Sequence, residues 1–362
     1  MSLDPSFSVK KIENQLIAGI RFRGTYRDIP RHIEALQLLL NRHTCGSPMC
    51  LYFNGRSGEA DMEVAFPITR AINNPNVKCH VLEGRHYISL IHEGPYGPPD
   101  DTGSVNKSWS NLGIYLRDHD INWETGPIRE VFLEGYKLHR HNTSDYITEL
   151  QVPVLLPAWL ERFSTGVHQH INQEEASEVL ADINSLDIET NPLQQSQWVK
   201  SALGKLTEAL PNASTRKEIL LGCAHRYPKD EIIHLSQTYQ RLGSVEKLLE
   251  FMRSEVAEGR ARYAVPVKHG HFLSMEKVPW DPERKKNATS DSERRAYHCH
   301  CGLVRASILA DLTIDPTFCN CGAGWIKQLW DGILNRSVEV SMMESVLNGS
   351  DRCYFTVDVG GA

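Results

Sequence analysis

The spacing of hydrophobic and polar positions changes character along the chain. From about Phe7 to Pro157 it predicts strand, helix, strand and strand, and then the same order again. From about Ala158 to Arg260 the apolar spacing is helical throughout, and the polar stretch at 281–295 is read as a solvated loop. The fold class is therefore α+β. Its three predicted parts are a tandem βαββ repeat with pseudo-twofold symmetry at 5–158, a helical connector at 159–260 and a small α+β domain at 261–362.

Two strands in the first part repeat one another. "DMEVAFPI" at 61–68 and "YITELQVPV" at 146–154 both read Glu, three residues, Pro and an aliphatic residue. Strand side chains alternate between faces, so Glu63 and Glu149 are predicted on the face away from the helices. If equivalent strands of the two halves are neighbours, this face forms one concave groove with a carboxylate from each half.

Aromatic residues recur with the same repeat. A Gly-x-Tyr turn precedes a helix in each half and supplies Tyr26 and Tyr96, while Trp109 and Tyr146 belong to the second half. A carboxylate among ring faces is suited to an aromatic cation. The predicted ligand-binding residues are Glu63, Glu149, Tyr26, Tyr96, Trp109 and Tyr146. The alternative is that both carboxylates are solvated and the aromatic residues belong to the core.

The motifs "GPY", "SWSNLG", "GPIREVFLEG" and "YITELQVPV" resemble the GyrI-like small-molecule-binding domain over residues 5–158. This family also provides the effector-binding domains of multidrug-responsive bacterial transcription activators. The resemblance implies a groove for amphipathic, often cationic aromatic ligands, with Glu149 as the anionic anchor. Family members without a DNA-binding segment include hydrolases that open strained cyclopropane rings.

Composition narrows the class of protein. The 362 residues are 41% hydrophobic and carry a net charge of -6, which offers no basic surplus for nucleic acid. There is neither a signal-peptide core nor an apolar run of about 20 residues, so a cytoplasmic protein without a membrane partner is expected. Nine cysteines in that compartment indicate free thiols or metal ligands rather than disulfides.

Five of the nine cysteines cluster near the C-terminus. If each Cys-x-Cys lies on a strand, its two sulfurs share a face and two such pairs converge on one metal ion. Glu344 is predicted on an apolar strand face, where an unpaired carboxylate is costly. The predicted ligands of a structural zinc ion are Cys299, Cys301, Cys319, Cys321, Glu344 and Cys353. The alternative is a set of reduced core thiols. His298 and His300 are predicted at the surface, on the other strand face.

The C-terminal sequence from Cys319 to Cys353 also resembles the 4-vinyl-reductase-type ligand-binding domains. Some of those hold zinc through residues that fall here on Cys319, Glu344 and Cys353. A further cysteine of that pattern falls on Leu347 in this chain, so another thiol has to replace it.

These observations predict a protein that binds amphipathic aromatic small molecules as a sensor or sequestering protein. The enzymatic alternative is a hydrolase of strained electrophilic natural products, with Glu63 or Glu149 as general acid or base. A third hypothesis is an interaction scaffold. The sequence leaves the oligomeric state open, a homodimer included.

Overall fold

The structure is a computed structural model that describes residues 7–56, 59–96, 104–134, 146–258 and 264–360. Residue contacts divide the chain into two compact units, one spanning Ser2–Leu155 and the other covering Leu156–Ala362. Each unit has its own antiparallel sheet and its own helices. The predicted α+β class is confirmed.

The N-terminal unit is built on one eight-stranded sheet. Its strands are β1 (Phe7–Ile12), β2 (Gln15–Gly24), β3 (Met49–Arg56), β4 (Glu59–Pro67), β5 (Lys78–Leu82), β6 (Arg85–Glu93), β7 (Ile128–Glu134) and β8 (Ile147–Pro153). Their order across the sheet is β1-β6-β8-β7-β3-β4-β2-β5, and every described pairing is antiparallel. The neighbouring pair β3 and β7 therefore lies near the middle of the sheet.

Helix α1 (Ile29–Leu40) connects β2 to β3, and α2 (Val105–Asp118) lies between β6 and β7. The buried residues of α1 recur every three or four positions, as an amphipathic helix requires. They pack with Val64 and Phe66 of β4 in one hydrophobic cluster. This cluster identifies the helix-covered face of the sheet, and strand alternation places Glu63 on the other face.

The element order strand, helix, strand, strand occurs twice, as predicted, in β2–α1–β3–β4 and in β6–α2–β7–β8. The twofold relation between these halves stays a prediction. The two glutamate strands, β4 and β8, are not neighbours, because β3 and β7 lie between them. The expectation that the repeated glutamate strands line one groove side by side is therefore wrong.

The C-terminal unit begins with helices only. They are α3 (Leu155–His170), α4 (Gln173–Val179), α5 (Pro192–Ala209), α6 (Ala213–Gly222), α7 (Lys229–Leu242) and α8 (Val245–Ala257). Asn172 caps α4 by accepting a hydrogen bond from the Glu175 backbone at 3.0 Å, and Ser244 caps α8 in the same way. Asparagine and serine are both typical residues at this position, because their side-chain oxygens accept from the free N–H groups of the first helical turn.

A four-stranded sheet follows in the order β11-β12-β10-β9. Its strands are β9 (Val267–His269), β10 (Phe272–Glu276), β11 (Glu339–Glu344) and β12 (Tyr354–Asp358), and the remaining helices are α9 (Pro282–Lys286), α10 (Asp291–His298), α11 (Gly302–Leu309) and α12 (Asn320–Leu334). β11 and β12 pair as an antiparallel hairpin. The loop predicted at 281–295 is wrong, since α9 and α10 occupy it.

The predicted connector, 159–260, and the predicted C-terminal domain, 261–362, both lie in the second unit. The boundary proposed between them falls outside the described residues, so their separation stays a prediction. No helix in the described ranges combines the length and hydrophobicity that crossing a membrane requires.

Candidate functional site

A buried carboxyl group lies at the centre of the N-terminal sheet. Glu130 is the third residue of β7, where its Cα pairs with those of Cys50 on β3 and Leu150 on β8. Strand alternation places it with Phe132, which belongs to the helix-covered cluster. The Glu130 side chain is 0% exposed. A charged form at this position has no access to bulk water.

Three neutral donors hold this carboxyl group. The Tyr52 hydroxyl donates to Oε2 at 2.8 Å, and the indole N–H of Trp109 donates to Oε1 at 2.8 Å. The Tyr96 hydroxyl also bonds the carboxyl and lies 2.6 Å from Oγ1 of Thr148. Both carboxyl oxygens are therefore oriented by groups from β3, α2 and the segment after β6.

Further rings extend this arrangement toward the surface. The Tyr26 ring lies 5.9 Å from that of Tyr52, and Tyr146 meets the Tyr96 ring edge-on at 5.5 Å. Tyr26 is 43% exposed, and Tyr52, Tyr96 and Trp109 are only half-buried. Ring surface thus remains accessible beside a fully buried carboxyl. We call the set of Tyr26, Tyr52, Tyr96, Trp109 and Glu130 the aromatic box.

Burial governs the protonation of the box. Removal from water raises the pKa of Glu130 to about 7, although the hydrogen bonds from Trp109, Tyr52 and Tyr96 act in the opposite direction. Burial also raises the pKa of Tyr52 and Tyr96 well above the usual value, so both hydroxyls stay protonated donors. The box therefore contains a carboxyl group that changes charge near neutral pH.

The structure places the two predicted anchors on the opposite face of the sheet. Glu149 pairs with Lys10 and bonds Gln151 and Ser89; burial raises its pKa, but these contacts outweigh burial and lower it. Glu63 lies with its Oε1 3.7 Å from Nδ1 of His80. Exposures of 6% for Glu149 and 3% for Glu63 also exclude the solvated alternative. The anchors were predicted on the correct face, but the aromatic residues are not there.

The four predicted aromatic residues do come together, but around Glu130, which is not among the predicted ligand-binding residues. The missed residues are Glu130 and Tyr52. A signal for Glu130 exists, because alternation within "GPIREVFLEG" puts it on the same face as Ile128 and Phe132. A carboxylate on an apolar strand face needs a partner, and this holds for Glu130 as it does for Glu344.

The N-terminal unit matches a known protein family. Residues 5–155 match the family model described as the GyrI-like small molecule binding domain. This segment is a GyrI-like domain. No curated protein matches the chain significantly.

Three solved structures illustrate the similarity. The EcmrR C-terminal domain is 21% identical over 41% of this chain and 96% of its own length, with a TM-score of 0.34. SAV2435 bound to tetraphenylphosphonium is 14% identical over 41% of this chain and 93% of its own, with a TM-score of 0.30. For EcmrR in its DNA complex, at 19% identity and a TM-score of 0.36, the match spans 41% of this chain and only 56% of the EcmrR chain.

In the C-terminal unit, the prediction that each Cys-x-Cys pair lies on a strand is wrong. Cys299 follows the last residue of α10 and Cys301 precedes α11, while Cys319 ends a 3-10 turn and Cys321 lies in the first turn of α12. Burial and neighbouring thiols raise the pKa of Cys299, Cys301 and Cys319. Of the five C-terminal cysteines, only Cys353 lies next to a strand, just before β12.

Glu344 is not an unpaired carboxylate. Arg352 donates to both of its oxygens, at 3.1 and 2.6 Å, so the guanidinium supplies the partner that a metal ion was expected to provide. His298 was predicted at the surface but is 1% exposed, and its Nε2 accepts the Cys353 backbone N–H at 3.1 Å. Glu344 is therefore removed from the predicted ligand set.

Within the described ranges, no three His, Cys, Asp or Glu side chains form a group arranged to hold a metal ion. Zinc binding by the five C-terminal thiols stays a prediction. It expects about one zinc per chain after purification without added metal, lost in Cys353→Ser and retained in Glu344→Gln. Elemental analysis of the three proteins is the measurement. Zinc well below one per chain in the parent would leave the five cysteines as reduced thiols.

Proposed function

We propose that the GyrI-like domain binds amphipathic aromatic cations in the aromatic box and acts as a sensor or sequestering protein. The observation that carries this proposal is Glu130, a fully buried carboxyl group surrounded by neutral donors and half-buried rings. An ionised carboxylate in such a place is costly without an opposite charge. A ligand cation supplies that charge, and ring faces attract cations in addition to burying apolar surface.

Titration calorimetry with two matched probes tests this function. Tetraphenylphosphonium is a permanent aromatic cation, and triphenylphosphine oxide is an uncharged analogue. Glu130→Gln is expected to weaken the cation by roughly 1–3 kcal/mol, the scale of losing a charge partner in a desolvated site, and to weaken the neutral probe less.

Glu149→Gln is the matched control, because Glu149 has the same chemistry on the opposite face of the sheet and bonds Lys10. It should leave both probes unchanged at neutral pH. Equal weakening of both probes by Glu130→Gln would remove the anchor role, and loss of cation binding in Glu149→Gln alone would restore the original assignment.

A second candidate function is hydrolysis of strained electrophiles by the same box. It is favoured by the pKa of Glu130, raised by burial to about 7, because a group that exchanges its proton near neutral pH is suited to general acid catalysis. Incubation with a cyclopropane-containing electrophile, followed by mass spectrometry, separates the two functions. Repeated addition of water that is lost in Glu130→Gln indicates an enzyme, while binding without turnover indicates a sensor or sequestering protein.

A further inference from the structure

The groups that face Glu130 are all uncharged in their ordinary state. Cys50 and Tyr52 face it from β3, Tyr96 follows β6, and Trp109 lies on α2. The turn before α1 adds Tyr26, and β8 adds Thr148 through its contact with Tyr96. In the described ranges, no Lys, Arg or His side chain forms an ion pair with Glu130.

One imidazole, that of His92, contacts a ring of the aromatic box. His92, on β6, meets the Tyr96 ring edge-on, and its Nδ1 lies 2.9 Å from the Ser108 hydroxyl. Burial lowers its pKa, so it is neutral at pH 7 and adds no positive charge. The titratable neighbours of Glu130 therefore either stay neutral or, like Cys50 and the tyrosines, become anions.

A carboxyl group in these surroundings keeps its proton until a positive charge arrives. We propose that the aromatic box exchanges the Glu130 proton for the charge of its ligand, releasing one proton for each aromatic cation it binds. The exchange is balanced: the carboxylic acid and the cation give the carboxylate–cation pair, and the proton passes to the buffer. This inference rests on the proposed function and adds its coupling to pH.

The hydrogen bonds indicate where this proton resides. The Trp109 indole is a donor only, so Oε1 must remain an acceptor. The Tyr52 hydroxyl both donates and accepts, so Oε2 is the oxygen that can carry the proton by reversing the direction of this bond. The Tyr52 ring lies 5.9 Å from the ring of Tyr26, which is 43% exposed. Tyr52 and Tyr26 thus lie between the buried carboxyl and the protein surface.

The coupling has a measurable size. When only the ionised form accepts the cation, the apparent affinity is reduced by the fraction of protein in that form. With Glu130 titrating at about 7, cation affinity should rise about tenfold between roughly pH 6 and pH 8. Proton release should fall from about nine tenths of a proton to about one tenth over the same range. An uncharged ligand should show no such rise.

The experiment is calorimetry of tetraphenylphosphonium binding to the full chain, at pH 6 and pH 8, in phosphate and in MOPS, which both buffer over this range. These buffers differ in ionisation enthalpy, so a released proton changes the observed heat. The expected result is a large buffer dependence at pH 6, a small one at pH 8, and none in Glu130→Gln. Glu149→Gln should behave like the parent.

Two outcomes would overturn the inference in distinguishable ways. If Glu130→Gln weakens the cation but the parent gives equal heats in both buffers at pH 6, the carboxyl is already ionised, and the proposed function stands without proton exchange. If the folded parent binds tetraphenylphosphonium at neither pH, the proposed function fails and the exchange fails with it.

Discussion

Glutamine at position 130 is expected to stabilise the ligand-free protein at alkaline pH, although it weakens cation binding. The folded pKa of Glu130 is raised by burial to about 7, above the ordinary 4.5. A group whose pKa is higher in the folded protein than in the unfolded protein stabilises the fold. This stabilisation is complete when the pH is below the unfolded-state pKa, and it is lost as the pH rises through the folded-state pKa. Glutamine does not titrate, so the stability of Glu130→Gln relative to the parent should increase between about pH 5 and 8, by on the order of 3 kcal/mol.

The measurement is the free energy of unfolding of the full chain across this pH range, compared between variant and parent. Glu149→Gln supplies a control of opposite sign. Burial raises the pKa of Glu149, but the bonds from Lys10, Gln151 and Ser89 outweigh it, and the net shift is downward. Its ionised form therefore stabilises the fold above the ordinary pKa, so Glu149→Gln should be less stable than the parent at neutral pH. A pH-independent difference between Glu130→Gln and the parent would show that Glu130 is ionised throughout.

The sequence was sufficient for the local features of the N-terminal unit. Periodicity predicted its strands and helices, and the repeated Gly-x-Tyr turns selected Tyr26 and Tyr96, which both belong to the box. Strand order was the missing information. The pairing of β3 with β7 is a contact between distant segments, and it alone brings Tyr52 to Glu130. Local spacing does not encode which strands become neighbours, so the repeated Glu63 and Glu149 were selected instead.

The wrong predictions for the C-terminal unit, a loop at 281–295 and cysteine pairs on strands, have a local cause. The high charge of the segment 281–295 predicts a loop, yet the segment contains two helix N-caps. The Asp281 side chain accepts a hydrogen bond from the backbone N–H of Arg284, and the Ser290 side chain accepts one from the backbone N–H of Glu293. Each donor lies three residues after its cap, as in an ordinary helix N-cap. These caps begin α9 and α10, and α10 leads directly into Cys299. Recognising them from the sequence would have placed the first cysteine pair between helices rather than on a strand.

Alanine at Gly324 is expected to destabilise the C-terminal unit strongly. Gly324 lies in α12, and a Cβ there would be 2.1 Å from the carbonyl oxygen of Leu221, at the end of α6. That obstacle is backbone rather than a flexible side chain, so the two helices must separate. We expect a loss of about 3 kcal/mol, the upper part of the range for overpacked cores.

Gly204→Ala is the matched control, because Gly204 lies inside α5 and a Cβ there meets nothing within 4 Å. Alanine also has the higher helix propensity, so this variant should gain up to about 1 kcal/mol. Thermal and denaturant unfolding of the two variants and the parent measures both effects. Because α12 approaches α6 closely at Gly324, the two substitutions should change the free energy of unfolding in opposite directions. If Gly324→Ala were as stable as Gly204→Ala, those helices would not be in contact at Gly324.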